Sequence, residues 1–506
     1  MRIALMPLDD RPVNTAMVAD IGRIAGATVV LPPASALPRF REPGDTAALA
    51  GWLAEAADSE LVGAVVSLDM LGYGGLIASR TSQDTTREVL GRVAVLEKIH
   101  AAHPGLPIGA LNVFLRASNS NNASEEPDYW SDYGVLLHRL GGRVHEAWAG
   151  SGPAAGSTVD EALVPASVRQ AFARRRLRNH VVNLAGLDLA YSGTVSTLLL
   201  TADDTAPRSA GSAEQSLIDY WTTLLGPREN VLVYPGADEV AAVMTARLLS
   251  RHHRFSPSFA VTCVEPGGLD RVAPYENTPL ATGVQRQVVA AGGRLDSSRA
   301  DVRLFVHAPS PTGGDFYGSV PDRTDPGLVA TTLRELEKAL EAGERVALAD
   351  CRFPNGGDPA LVEALRDAGL LLRLEAYGGW NTAGNSLGST VAAAVAAAVG
   401  RHSGQRDALA QQKFLLHRVV EDYGYQSRVR GGLTSQADHE VLFGPDAIDT
   451  TAERARRELD AVLQELVGGA SDRWSVGSVR FPWARAFEID LGLDFGADQL
   501  TVRSMP

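Results

Sequence analysis

Cysteine is nearly absent: 506 residues hold two, Cys263 and Cys351, far apart and in no Cys-x-x-Cys pair. That excludes a disulfide framework and a zinc knuckle, and it points to a reducing compartment. Positive charge is in deficit, with 47 Lys and Arg against 60 Asp and Glu, a net charge of −13. Such a chain lacks the basic stripe that nucleic acid demands, and an anionic membrane surface would repel it. Long apolar runs are missing too. The longest, Val391–Val399, is mostly alanine and falls far short of the about 18 residues that suggest a bilayer span. The N-terminus meets acid at Asp9 and Asp10, sooner than the roughly 7–15 apolar residues of a secretory signal allow. The eleven histidines show no His-Glu-x-x-His spacing, and no Gly-x-Ser-x-Gly elbow, phosphate loop or nicotinamide fingerprint is present. These absences lead to the expectation of a cytoplasmic protein with no cofactor, no nucleic-acid partner and no membrane partner; self-association stays open.

What the chain does have is material for a large core, at 45% hydrophobic. Short β-branched runs alternate with alanine-, leucine- and arginine-rich stretches at helical spacing, the pattern of βα units around a parallel sheet. Strands are expected at Ile3–Leu8, Thr28–Leu31, Val62–Leu68, Ile108–Leu115, Ser196–Thr201, Asn230–Tyr234, Phe259–Val264, Val302–His307, Val346–Ala349 and Leu371–Ala376. The fold class is α/β: a (β/α)8-like barrel with insertions over residues 1–400, followed by a C-terminal accessory region of helices and β structure over 401–506. Ten strands exceed the barrel's eight, so one or two are peripheral. Two doubly wound α/β domains around a cleft remain the alternative. The cluster Arg174, Arg175, Arg176 and Arg178 reads as a solvated helix face.

Acid gathers where strands end, at Asp9-Asp10, Asp69, Asp203-Asp204, Asp238-Glu239 and Asp350. In parallel α/β folds these carboxyl ends share one rim, where substrates bind. The run Val231 to Val240 is the most informative: an apolar strand, a Pro235-Gly236 turn, two adjacent carboxylates, then a helix. Neighbouring side chains at a strand end point different ways, so Asp238 and Glu239 can address two atoms of one ligand as catalytic groups. The competing account is an acid pair complementing a helix dipole.

A second block, Tyr377-Gly378-Gly379-Trp380-Asn381 leading to Gly384-Asn385-Ser386-Leu387-Gly388, offers flat rings and paired amide donors and acceptors. Tyr377, Trp380, Asn381 and Asn385 are accordingly candidate substrate-binding residues, the rings suited to stacking on sugars. Asp9, Asp10, Arg11, Asp69, Tyr73, Arg116, Glu126, Asp203, Asp204 and Asp350 complete the candidate lining. No metal is assigned, although a hard cation on Asp9, Asp10, Asp203 or Asp204 is the basis of one alternative.

The Pro235-Gly236-Ala237-Asp238-Glu239 segment resembles the Gly-x-Asp-Glu strand end of β-N-acetylhexosaminidases, with proline where His or Asn often precedes the glycine. The resemblance implies that Asp238 holds a 2-acetamido group and Glu239 protonates the leaving oxygen. The acetamido carbonyl would act as nucleophile. Over nearly the whole chain, the blocks Pro7–Asn14, Ser67–Leu76, Glu125–Tyr129, Pro235–Glu239, Gly379–Gly388, Tyr425-Gln426 and Pro482-Trp483 resemble the bacterial domain-of-unknown-function family 4127. That second resemblance brings no chemistry with it. The leading expectation is a glycoside hydrolase releasing a terminal β-linked N-acetylhexosamine from a small-molecule carbohydrate substrate. The alternatives are a divalent-cation-dependent hydrolase or lyase and a non-catalytic carbohydrate-binding protein.

Overall fold

The computed structural model describes residues 1–58, 60–150, 162–317, 321–435, 439–468 and 473–496. Six parallel strands form the first sheet: β1 (Arg2–Met6), β2 (Thr28–Val30), β3 (Leu61–Ser67), β4 (Ile108–Phe114), β5 (Thr197–Ala202) and β6 (Val231–Pro235). Five more, β7 (Ser258–Thr262), β8 (Arg294–Leu295), β9 (Val302–His307), β10 (Val346–Asp350) and β11 (Ala376–Gly378), form a second parallel sheet. The orders are β2-β1-β3-β4-β5-β6 and β8-β7-β9-β10-β11. Counted from its own first strand, the second sheet runs 2-1-3-4-5, the doubly wound order of flavodoxin-like folds, and the first runs the same way with a sixth strand added, 2-1-3-4-5-6.

This arrangement corrects the barrel. The strands divide between two open sheets instead of closing into one ring. Nor do the sheets have independent cores. Residues alternate faces along each strand, and Ile3, Leu5, Leu111 and Leu199 of the first sheet share one core with Val302, Leu304, Ala347 and Ala349 of the second. The helices Val240–His252 and Ala383–Ser403 belong to this shared core. The opposite faces bear separate cores, with Ala4, Met6, Val66 and Leu200 on one side and Phe305, Val346, Leu348 and Tyr377 on the other. A helix packed on all sides must be apolar all round. Among the described residues, Ala383–Ser403 is the one helix long and apolar enough to cross a bilayer, and its apolar stretch is wholly buried inside the fold.

Two further expectations change. Leu371–Ala376, expected as a strand, is a 3-10 turn at Leu371–Arg373 followed by the short β11. The arginine cluster is only half solvated. Its helix, Ala166–Ser192, buries Arg176 and Arg178. Arg176 clasps Glu214 and donates to the carbonyls of Leu115 and Arg116, while Arg178 serves those of Ser79, Ser82 and Asp84. Chain leaving a strand or helix end has carbonyls without backbone partners, and a guanidinium with five donors can meet several at once.

Beyond residue 403, the helices Ala408–Val419 and Ile448–Val467 and an antiparallel pair, β12 (Trp474–Arg480) and β13 (Asp490–Phe495), pack on the outer core of the second sheet. The connection between β12 and β13, residues 481–489, reaches back to the strand ends of the first sheet, where Trp483 bonds Asp10.

Candidate functional site

At the end of β6 the chain turns through Gly236, whose φ is +149°. A Cβ there would lie 2.0 Å from Glu239 Oε1, so only glycine fits. The turn sends the two adjacent carboxylates apart. Asp238 meets Arg11, with Oδ1 2.5 Å from Nη2 and Oδ2 3.4 Å from Nη1, and accepts from the Asn381 amide at 3.3 Å. Arg11 also donates to Asp9 from Nε at 2.9 Å and Nη2 at 2.7 Å, and to Glu488 from Nη1 at 3.2 Å. Asn14 steadies Asp9 at 2.9 Å. The guanidinium lies 4.7 Å from the ring centroid of Trp483, whose indole N–H donates to Asp10 at 2.9 Å.

Glu239 faces the interior. Its Oε1 accepts from the Gln287 amide at 2.7 Å and its Oε2 from the Ala237 N–H at 3.0 Å. Burial pushes its carboxyl up to about 7, against the lowering effect of those hydrogen bonds. Asp238 rises to about 6, again by burial, with Arg11 holding it down. Nearby Glu276, accepting from the Gly384 N–H at 2.8 Å, is pushed up to about 8 by burial. Helix Ala383–Ser403 passes so close that a Cβ on Gly388 would sit 2.1 Å from Glu239 Cγ. Gly388→Ala is therefore expected to destabilise the protein by about 1–3 kcal/mol through overpacking. A denaturant midpoint unchanged from wild type would contradict this contact.

The acids after β5 continue the network. Arg80 holds Asp203 at 2.6 Å and Glu125 at 2.9 Å; Arg116 holds Glu126 at 2.7 Å and Asp204 at 3.0 Å. Arg485 joins this group to the first one, pairing with Glu125 and, at 2.9 Å, with Glu488. Four guanidiniums thus face seven carboxylates. Burial raises two of these acids, Asp238 and Asp204, toward their protonated forms. Asp204, in the left-handed region with φ +39°, is raised to about 7 by burial and then by Asp203.

Residues 481–489 cover this group. Trp483 and Ala484 both have positive φ, at 56° and 49°, a conformation costly for residues with a Cβ and held only by surrounding contacts. The contacts are Arg11 and Arg485, 4.7 and 4.6 Å from the Trp483 ring centroid, with Phe487 5.9 Å from Trp380. A wide π-type helical stretch, Val420–Val429, anchors the segment: Tyr425 donates to the Ala486 carbonyl and Gln426 to that of Phe487, at 2.7 and 2.9 Å. The same stretch fixes the glycine-tryptophan loop, because Asp422 accepts from the Gly379 N–H at 2.8 Å. Such bulges recur at functional sites.

Of the candidate residues, Asp9, Asp10, Arg11, Arg116, Glu126, Asp203, Asp204, Asp238 and Asn381 belong to the connected network, and Glu239 lies beside it. Others are placed elsewhere. Asp69 turns to the Val113 N–H at 2.9 Å, fully buried, and Tyr73 sits in the outer core beneath Arg178. Tyr377 is buried and donates to Asp350 at 3.1 Å, so that pair braces the second sheet instead of presenting a stacking face. Asn385 folds back on Thr382, and the Trp380 ring packs against Phe487. Sequence reasoning missed Glu488, Arg485, Glu276, Gln287 and Arg80 as members of the site. Only the Pro482-Trp483 pair hinted at the first two. His307 pairs with Asp358 at 2.9 Å as a buried, satisfied histidine.

Fold and site together define a two-sheet, doubly wound α/β protein with a buried arginine–carboxylate network at its strand ends. The family model described as "Protein of unknown function (DUF4127)" matches residues 3–492, and the chain belongs to that family. No curated protein matches it.

Proposed function

We propose that this chain is a glycoside hydrolase releasing a terminal β-linked N-acetylhexosamine, N-acetylgalactosamine or N-acetylglucosamine, with the substrate's own acetamido carbonyl as nucleophile. The observation that carries the reading is the unlike treatment of two neighbouring carboxylates. Asp238 lies against a guanidinium and an amide, which favour its charge, and suits the task of orienting and polarising the acetamido N–H. Glu239 accepts from a neutral amide and a backbone N–H, holds its proton to about 7, and suits proton donation to the leaving oxygen. Buried atoms without a partner among the described residues, Trp380 Nε1, Asn385 Oδ1 and Gln287 Oε1, offer hydrogen bonds to a hydroxylated ligand. Substrate entry requires residues 481–489 to lift, since Phe487 covers the Trp380 ring.

The cation-dependent alternative draws less support. Asp10 is bonded to Trp483, and Asp9, Asp203 and Asp204 are each engaged by an arginine. The test is release of nitrophenolate from nitrophenyl β-N-acetylglucosaminide and β-N-acetylgalactosaminide. Activity should require Asp238 ionised and Glu239 protonated. It should therefore fall as pH drops below about 6 and again as pH rises past about 7. No release from either sugar across this range would sink the proposal.

A further inference from the structure

Helix Ala210–Leu225 has a buried face and an exposed apolar one. One holds Gly211, Ser212, Gln215 and Ile218, buried against the protein. The other holds Leu217, Tyr220, Trp221, Leu224 and Leu225, which are 36%, 58%, 40%, 64% and 51% exposed. Their spacing of i, i+3, i+4, i+7 and i+8 is that of a stripe built to be covered. A surface helix needs only its inner stripe apolar, and single exposed hydrophobes are ordinary, but five contiguous ones with two aromatics are not. We propose that a second copy of this chain covers this stripe, giving a two-fold symmetric dimer through paired Ala210–Leu225 helices.

Three observations favour a second copy over a different partner. The stripe is uncharged, and the neighbouring Asp219 faces Arg286 of its own chain, so nothing here calls for a partner of opposite charge. It is also self-complementary. Trp221 lies at its midpoint, so an antiparallel pairing about a two-fold axis there brings Leu217 of one copy over Leu225 of the other, as an isologous interface requires. Finally, the exposed apolar area amounts to roughly 500 Å² per copy and about 1,000 Å² for the pair, the lower bound for a stable interface before flanking residues add to it. The helix end is held by Tyr191, whose hydroxyl donates to the Gly226 carbonyl, and Tyr220 and Trp221 pack edge-to-face with centroids 5.3 Å apart. The helix leaves the carboxyl end of β5 and returns to the start of β6, which places residues 217–225 toward the amino ends of the strands, away from the acidic network.

Sedimentation velocity of the full chain at micromolar concentration should give twice the 53.6 kDa chain mass. The Trp221→Glu/Leu224→Arg variant should sediment as a folded monomer, its dimer dissociation constant weakened by about 30-fold or more. In a second, independent measurement, Leu217→Cys/Leu225→Cys should form a disulfide-linked dimer under mild oxidation, which the wild type should not. A monomeric wild type, a variant that stays dimeric, or a double-cysteine chain that fails to cross-link would each overturn the proposal.

Discussion

Arg11→Met should lower the stability of the folded protein by about 3–5 kcal/mol at neutral pH, and the loss should shrink as the solution is acidified. One guanidinium compensates three carboxylates, Asp9, Asp238 and Glu488, whose side chains are 2%, 6% and 3% exposed. Methionine keeps most of the volume and removes the charge, leaving buried anions that cannot reach water. Burial already raises Asp238 to about 6 with Arg11 present, and without it that value climbs further. An acid whose folded pKa exceeds its unfolded one loses stabilising effect as pH rises from the unfolded value through the folded one. The deficit of the variant should therefore be smallest near pH 4, the ordinary range of an aspartate, and largest above pH 7. Urea midpoints at several pH values measure it. A small loss that does not vary with pH would show that the network shares its charge more widely than the contacts indicate. Arg11→Lys should fall in between, since an ammonium keeps the charge but cannot serve three carboxylates with planar, directed donors.

The carboxylates of that network were legible because they end strands, and parallel strands put their ends on one rim. Which of them turn toward a common centre was not. Asp69 and Asp238 occupy equivalent places in the sequence pattern. Yet the Asp69 side chain folds onto the amide of the neighbouring strand, at Val113, whereas Asp238 is drawn to a guanidinium. The difference lies in what the next strand offers, and local sequence does not encode that. The barrel expectation failed for a related reason. Period-2 and period-3.6 patterns report which element forms, but not which strand it pairs with, and nothing in those patterns marks the break between β6 and β7, which lie in separate sheets. Glu488 is 477 positions from Arg11, beyond the reach of any spacing rule. The Gly-Gly-Trp-Asn block was readable as a turn at a strand end, and Asn381 does reach Asp238. The fate of Tyr377 was not, because alternation within a three-residue strand leaves too little pattern to tell one face from the other.

Glu239→Gln should cut turnover of the nitrophenyl β-N-acetylhexosaminides by about 10²–10⁴-fold, with kcat carrying the loss and KM little changed. A general acid moves its proton only as the glycosidic bond breaks, so its removal raises the barrier without weakening the bound ground state. Folding should survive the change. At neutral pH the carboxyl is already close to half protonated, being raised to about 7, and glutamine matches its neutral form in shape. The carboxylate accepts from both Gln287 and the Ala237 N–H; a glutamine oxygen keeps one of these bonds. Its new amide donor can meet Gln287 Oε1, which has no partner among the described residues, if that side chain turns over. The variant should also gain on the wild type above pH 7, where the native carboxyl becomes a buried charge and the amide does not. Loss of turnover together with a flatter stability profile at alkaline pH would tie both effects to one proton. A folded variant that keeps turnover within a few-fold of wild type would remove Glu239 from the chemistry and leave it as a buried carboxylate bridging helices Val240–His252 and Leu280–Ala290.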